Sequence, residues 1–187
     1  MKILMTSETY LPRVGGAEIH VDNLMKHLKL MGHDVVLFTN KEGDGENHDV
    51  IRLAWSKKKF LHIWKILWHE SKNADIIHSH YSHRLAAICG VIGKMRKIPV
   101  VATLHGAGIL DHPGTRFIYR MAHAFYRYMA LRLSTRIIST SKDLAHKAYE
   151  YVKKDKIEII LNGFDEKLFN KEVFVSEKLL DENKEKK

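Results

Sequence analysis

Histidines dominate the residues able to do chemistry in this chain. His78-Ser79-His80-Tyr81-Ser82-His83 sets three imidazoles within six residues, and Thr103-Leu104-His105-Gly106 ends an apolar run on a fourth. On an extended strand His78 and His80 share one face, as a chelate requires. With His83 they would make a metal site for activating water, and the missing further ligands count against it. Chance clustering competes as an explanation, because 13 histidines are spread through the sequence. His105, beside a glycine, suits a different task. Its ring can donate a hydrogen bond to a sugar hydroxyl while its backbone carbonyl faces developing positive charge. A third element is Val14-Gly15-Gly16-Ala17-Glu18, where two glycines allow close backbone approach at the start of a helix whose free N–H groups attract anions or sugars. It fits neither the dinucleotide pattern G-x-G-x-x-G nor a P-loop.

The elements that must position these residues alternate along the chain. Strands are expected over Lys2–Thr6, Asp34–Thr39, Val50–Leu53, Ile76–Ser79, Val100–Leu104, Ile137–Ser139 and Ile157–Leu161. Helical patterns fill Gly16–Met31, Phe60–Lys72, Arg84–Met95, Gly114–Leu133 and Lys142–Lys153, with Gly32 placed as a terminating glycine and Thr140 with Asp143 as a capping box. Strands apolar on both faces, each followed by a helix, imply an α/β fold: a doubly wound, Rossmann-like parallel sheet of six to seven strands with helices on both faces. Ligands of such sheets bind beyond the C-terminal strand ends. That rim collects the loop Ser7 to Gly16, then His80, Tyr81 and Ser82, then His105, Gly106 and Gly108, and further along Ser141, Asn162, Gly163 and Asp165.

Composition narrows the classes. With 187 residues, 45% hydrophobic and 28% charged, the chain suits one well-buried globular domain. The single Cys89 excludes an internal disulfide and fits a reducing compartment. No run is long enough to span a membrane, and the first residues do not read as a signal peptide, so a cytoplasmic protein is expected. The net charge of +9 favours anionic partners. It is concentrated: no Asp or Glu occurs from His112 to Lys142, a stretch with five arginines. A second basic stretch, Lys57-Lys58-Lys59 followed by Trp64 and Trp68 one helical turn apart, suits a helix lying in a membrane interface. Its ordinary alternative is a surface helix with its aromatics in the core. The residues after Leu180 read as a solvated tail.

Two resemblances follow from these motifs. The histidine run is similar to the H-x-H-x-D-H signature of metallo-β-lactamase-type hydrolases, with Ser82 in the place of the Asp. A longer, ordered set resembles the N-terminal domain of family 4 retaining glycosyltransferases of the GT-B fold. It comprises Tyr10-Leu11-Pro12-Arg13-Val14-Gly15-Gly16-Ala17-Glu18, Gly32-His33-Asp34-Val35, Asp75-Ile76-Ile77-His78-Ser79-His80, Pro99 to Gly106, Ile137 to Ser141, and Asn162-Gly163-Phe164-Asp165 with Phe169.

That second resemblance implies residues 1–169 as one half of a GT-B enzyme, with 170–187 a charged tail or truncated linker. It implies transfer of a sugar from a nucleotide-sugar to an acceptor with retention, without a metal or other cofactor. His105 would be the catalytic residue at the transferred sugar. Gly15 and Gly16 would contact the donor, Tyr10, Arg13, His80 and Tyr81 the acceptor side, and Asn162, Gly163 and Asp165 would lead to the hinge. The basic, tryptophan-bearing surface is similar to that of members that work on lipid-linked acceptors, which makes Lys57, Lys58, Lys59, Trp64 and Trp68 candidates for anionic membrane contact on the inner face of the cell membrane. The second domain, with its phosphate-binding residues, has no counterpart here, and Glu177 with Glu185, spaced as in its E-x7-E motif, lies in the Lys/Glu-rich tail without a strand pattern before it, so this chain alone is expected to be inactive. The alternatives are a metal-dependent hydrolase on His78, His80 and His83, or a noncatalytic module on anionic membranes or nucleic acid. No sequence-specific nucleic-acid motif is present.

Overall fold

The computed structural model describes residues 1–39, 48–106 and 117–163. Seven strands form one wholly parallel sheet: β1 (Lys2–Ser7), β2 (Asp34–Thr39), β3 (Val50–Arg52), β4 (Ile76–His80), β5 (Val100–Leu104), β6 (Arg136–Ser139) and β7 (Ile157–Ile159). Their order is β3-β2-β1-β4-β5-β6-β7. Five α-helices connect them: α1 (Gly16–Leu30), α2 (Phe60–Glu70), α3 (Arg84–Arg96), α4 (Phe117–Leu133) and α5 (Lys142–Ala148). This is the doubly wound arrangement expected, and the order reverses between β1 and β4.

Side-chain alternation explains why both faces are covered. In β1, Ile3 and Met5 join Val21 and Met25 of α1, while Leu4 turns to the other face and meets Ile63, Leu67, Leu85 and Ile92 of α2 and α3. In β2, Val35 and Leu37 follow the first pair and Phe38 the second. A third cluster, with Leu104, Leu131, Ile137 and Ala148, closes the β5–β6 end under α4 and α5.

Several boundaries differ from the sequence expectation. The helix after β6 ends at Ala148, and a 3₁₀ turn over Lys154–Lys156 leads into β7. Its cap is Ser141, whose Oγ accepts from the Leu144 N–H at 3.2 Å. Thr140 spends its hydroxyl on the Leu104 carbonyl at 2.8 Å and ties β6 to β5. Gly32, at φ +83°, follows the last turn of α1 in the left-handed conformation that glycine adopts without strain. Gly108, Asp165, Phe169 and the tail 170–187 lie outside the described residues.

Candidate functional site

The order reversal leaves a crevice at the C-terminal ends of β1 and β4, with β5 beside it. Buried polar contacts hold those ends together. Thr6 donates from Oγ1 to Ser79 Oγ at 2.9 Å, joining β1 to β4. Ser7 turns its hydroxyl onto the Thr9 carbonyl at 2.6 Å and folds the loop that follows β1. Glu8 reaches across the crevice, where its Oε1 accepts from the Leu85 N–H at 3.1 Å in the first turn of α3. A carboxylate is favourable at that positive helix end.

The crevice floor is a stack of imidazoles. His78 and His80, two residues apart on β4, lie with ring centres 4.5 Å apart. His78 Nε2 is 2.8 Å from Thr103 Oγ1. His80 Nδ1 is 3.0 Å from His105 Nε2, with the rings nearly parallel at 22°. His20, one turn into α1, meets His105 edge-on at 5.0 Å and His80 at 5.8 Å. It joins them because Cβ atoms in a helix tilt toward its N-terminus, which here points at the crevice. Sequence reasoning missed His20; its signal is its position four residues after Gly16 in a helix that starts at the switch point.

Burial keeps this cluster uncharged. Desolvation, with repulsion from its neighbouring imidazoles, lowers His78 to about 4, and desolvation followed by His20 lowers His105 to about 4, partly opposed by Glu18. His80 is pushed well below its ordinary value by burial and by the surrounding histidines, and desolvation lowers His20. At neutral pH each ring therefore offers one N–H and one bare nitrogen. Such rings orient hydroxyl groups by hydrogen bonding, and a small fraction only is protonated for acid catalysis. The buried Nε2 of His80 has no hydrogen-bond partner among the described residues.

The remaining rim residues fall into two groups. Tyr81 belongs to the cluster: its ring centre is 5.3 Å from that of His105, and its hydroxyl is 3.0 Å from Thr9 Oγ1. Its φ of 71° is rare for a non-glycine residue and turns the chain sharply at the end of β4. Arg13, largely exposed, lies 3.6 Å from the buried carboxylate of Glu18. That carboxylate curls back over Gly15, where a Cβ would stand 2.5 Å from Glu18 Oε2, whereas Gly16 faces open space. Tyr10 sits beneath the rim. Its ring is buried in the α1 core, its hydroxyl donates to Asp22 Oδ1 at 2.7 Å, and Arg52 covers its face at 5.4 Å. Asn162 and Gly163 are exposed after β7, three strand spacings from β4, or about 14 Å.

The metal trio drawn from sequence does not assemble. His83 turns away toward Tyr81 and His123, with ring centres at 6.3 and 5.3 Å. Among the described residues the three ligating atoms that do converge, within 4.8 Å, belong to His20, His80 and His105. His80 Nδ1 and His105 Nε2 are already joined to each other by a hydrogen bond.

The membrane candidates are also placed. On α2, Ile63 and Leu67 are fully buried, and Trp64 and Trp68 pack against the same core, stacked on each other at 6.3 Å. Arg96 covers Trp68 at 3.9 Å. The two tryptophans thus face inward, as the ordinary reading of that helix has it, leaving Leu61, Lys58 and Lys59 outward. No helix among the described residues is long and apolar enough to cross a membrane.

A doubly wound parallel sheet with a polar, histidine-lined crevice at its switch point defines a Rossmann-like α/β domain. Its lineage is specific. Residues 14–168 match the family model of Glycosyltransferase Family 4, and the chain belongs to that family as an N-terminal domain. It is 30% identical over 185 residues to an uncharacterized glycosyltransferase of Methanocaldococcus jannaschii, covering 95% of this chain and 49% of that protein. It is 26% identical over 203 residues to the alpha-monoglucosyldiacylglycerol synthase of Acholeplasma laidlawii, covering 96% of this chain and 50% of the synthase. The chain thus spans about half the length of the curated relatives it matches. In fold it is similar to UDP-N-acetylglucosamine 2-epimerase from Rickettsia bellii, with a TM-score of 0.62, 14% identity, and 98% of this chain matched to 51% of the other.

Proposed function

We propose that this chain is the acceptor-binding half of a retaining glycosyltransferase that moves a sugar from a nucleotide-sugar to a lipid-linked acceptor at the cytoplasmic face of a membrane. The observation that carries the reading is the neutral imidazole cluster of His20, His80 and His105 at the switch point of a family 4 domain. His105 is the group at the transferred sugar. Its ring donates a hydrogen bond to a sugar hydroxyl, held by His80, and its backbone carbonyl stabilises positive charge developing at the anomeric carbon. Gly16, open above the α1 terminus, approaches the donor, and Gly15 keeps room for the Glu18 carboxylate. Arg13, His80 and Tyr81 line the acceptor side, while Asn162, Gly163 and Asp165 lead to the hinge. The nucleotide is gripped by a second Rossmann-like domain, in cis or in trans. No metal takes part.

Titration of the 187-residue chain, with the imidazole resonances followed by NMR, tests the division of labour. Lipid acceptors are expected to perturb His20 and His105, and nucleotide-sugars alone to bind weakly. Sugar transfer by the isolated chain would refute the half-enzyme role. In the enzyme completed by its donor domain, His105→Ala lowers kcat by roughly 10²–10³, and a chelator leaves the rate unchanged. Zinc recovered in stoichiometric amount, and lost in His80→Ala, would favour metal-dependent hydrolysis instead.

A further inference from the structure

Helix α4 packs Ala130 and Leu131 into the core and exposes further large apolar side chains elsewhere on its surface. Its inward side is Arg127, Ala130 and Leu131. At about 100° per residue, Phe117, Met121, Phe125 and Tyr128 fall on one strip opposite Ala130. All four are exposed, Phe117 by 74% and Phe125 by 59%, and Ile118 borders the strip at 72%. A helix on a solvated surface carries its polar residues there. Every formal charge on α4 is positive, on Arg120, Arg127 and Arg132.

A second observation lies at the far end of the strip. Arg132 covers the Tyr128 ring at 5.6 Å and lines a concavity of about 480 Å³ with Arg136, Lys153 and Lys156, where Asp155 is the one acid among the described residues. Lys156 is fixed in place by donating to the carbonyls of Leu131 and Arg132 at 3.0 and 2.8 Å, which caps the helix. The apolar strip therefore ends in a cationic cup. At its other end α4 starts on the crevice side of the sheet, where His123 meets His83 at 5.3 Å.

We infer that the outward face of α4 docks onto an anionic lipid bilayer, the aromatic strip entering the headgroup–acyl boundary and the Arg132 cup receiving lipid phosphates. Charge complementarity selects this occupant: aromatics set among cations, without an acid on the helix, match the boundary between acyl chains and anionic headgroups. Lying flat, the 17 residues of α4 extend about 25 Å and bring the crevice mouth to the membrane. The inference deepens the lipid-acceptor reading and moves the contact from α2, whose tryptophans face inward, to α4.

Its test needs no sugar transfer, so it can fail separately from that reading. The chain is sedimented with vesicles of phosphatidylcholine alone and of phosphatidylcholine mixed with phosphatidylglycerol. Only the mixed vesicles are expected to carry it down. Paired Phe117→Ser and Phe125→Ser, or paired Arg132→Glu and Lys153→Glu, should weaken that binding roughly tenfold or more, and paired Lys58→Glu and Lys59→Glu much less. Cys89 is fully buried, so an environment-sensitive fluorophore on Met121→Cys reports this face alone, and its emission should shift to the blue with mixed vesicles. The label decides the matter even where a double variant folds poorly. Absence of binding at low salt, an unshifted label, or full binding by folded α4 variants would overturn the proposal. So would a dimer in solution that the strip substitutions dissociate without affecting vesicle binding, since the strip would then cover a second copy.

Discussion

His80 Nδ1 and His105 Nε2 face each other at 3.0 Å across adjacent strand ends, and the contact holds only while one of the two nitrogens is bare. A single proton shared between neutral rings makes it a hydrogen bond. A second proton would set N–H against N–H in a site that burial has already made unfavourable for charge.

Stability should therefore fall on the acid side. In the unfolded chain these histidines titrate near 6.5, and in the folded chain His78 and His105 titrate at about 4. Between those values the unfolded state binds more protons, so unfolding free energy declines as pH drops from about 6.5 to 4 and is flat just above that window. Urea unfolding across the range is expected to show a loss of more than about 1 kcal/mol by pH 5. His80→Asn retains a partner for His105 and removes one titrating ring. It should lower stability at neutral pH and flatten the slope. A profile without acid dependence contradicts the neutral cluster.

Gly93 is fixed by contact. A Cβ there would lie 2.2 Å from Val100 Cγ2 and 2.9 Å from the Ile98 carbonyl oxygen, and a backbone atom cannot rotate away. Gly93→Ala should cost about 1–3 kcal/mol, read as a Tm lower by several degrees. Gly16→Ala is the control. Nothing lies within 4 Å of its Cβ position, at the first residue of α1, and the thermal midpoint should stay level or rise.

Lys97 ends α3 in the left-handed conformation, at φ 59°, and is exposed. Glycine takes that conformation without the Cβ penalty. Lys97→Gly is expected to raise unfolding free energy by up to about 1 kcal/mol, the relief exceeding the added flexibility of the unfolded chain. A lower midpoint in denaturant would show that the lysine side chain contributes something more.

The sheet was legible because its signals are local. Strands such as Val100–Leu104 are apolar on both faces and announce a buried parallel sheet, and the spacing of His78 and His80 fixes their common face. Switch-point logic also located His105. What stayed hidden depends on packing between distant segments. His20 reaches the cluster because α1 starts at the crevice, and no spacing within Gly16–Leu30 records where His80 and His105 will be. Tyr10 carries a motif, yet Asp22 and Arg52 hold it below the rim. Trp64 and Trp68 have the helical spacing that fits either a membrane or a core, and Arg96 from the next helix seals the second of them inward. Thr140 and Ser141 are neighbours with equivalent hydroxyls. Which one caps α5 depends on the Leu104 carbonyl claiming the other.

The strand order has a consequence for how the molecule assembles. Every neighbouring pair in the sheet joins consecutive strands except β1 and β4. The chain thus builds two runs, β1 to β3 and β4 to β7, each extended by short-range pairing, and closes them along one long-range seam, the step that topology makes slow. His20 comes from the first run and His80 with His105 from the second. The imidazole cluster therefore does not exist until the two runs have met, and its ring signals report on that seam.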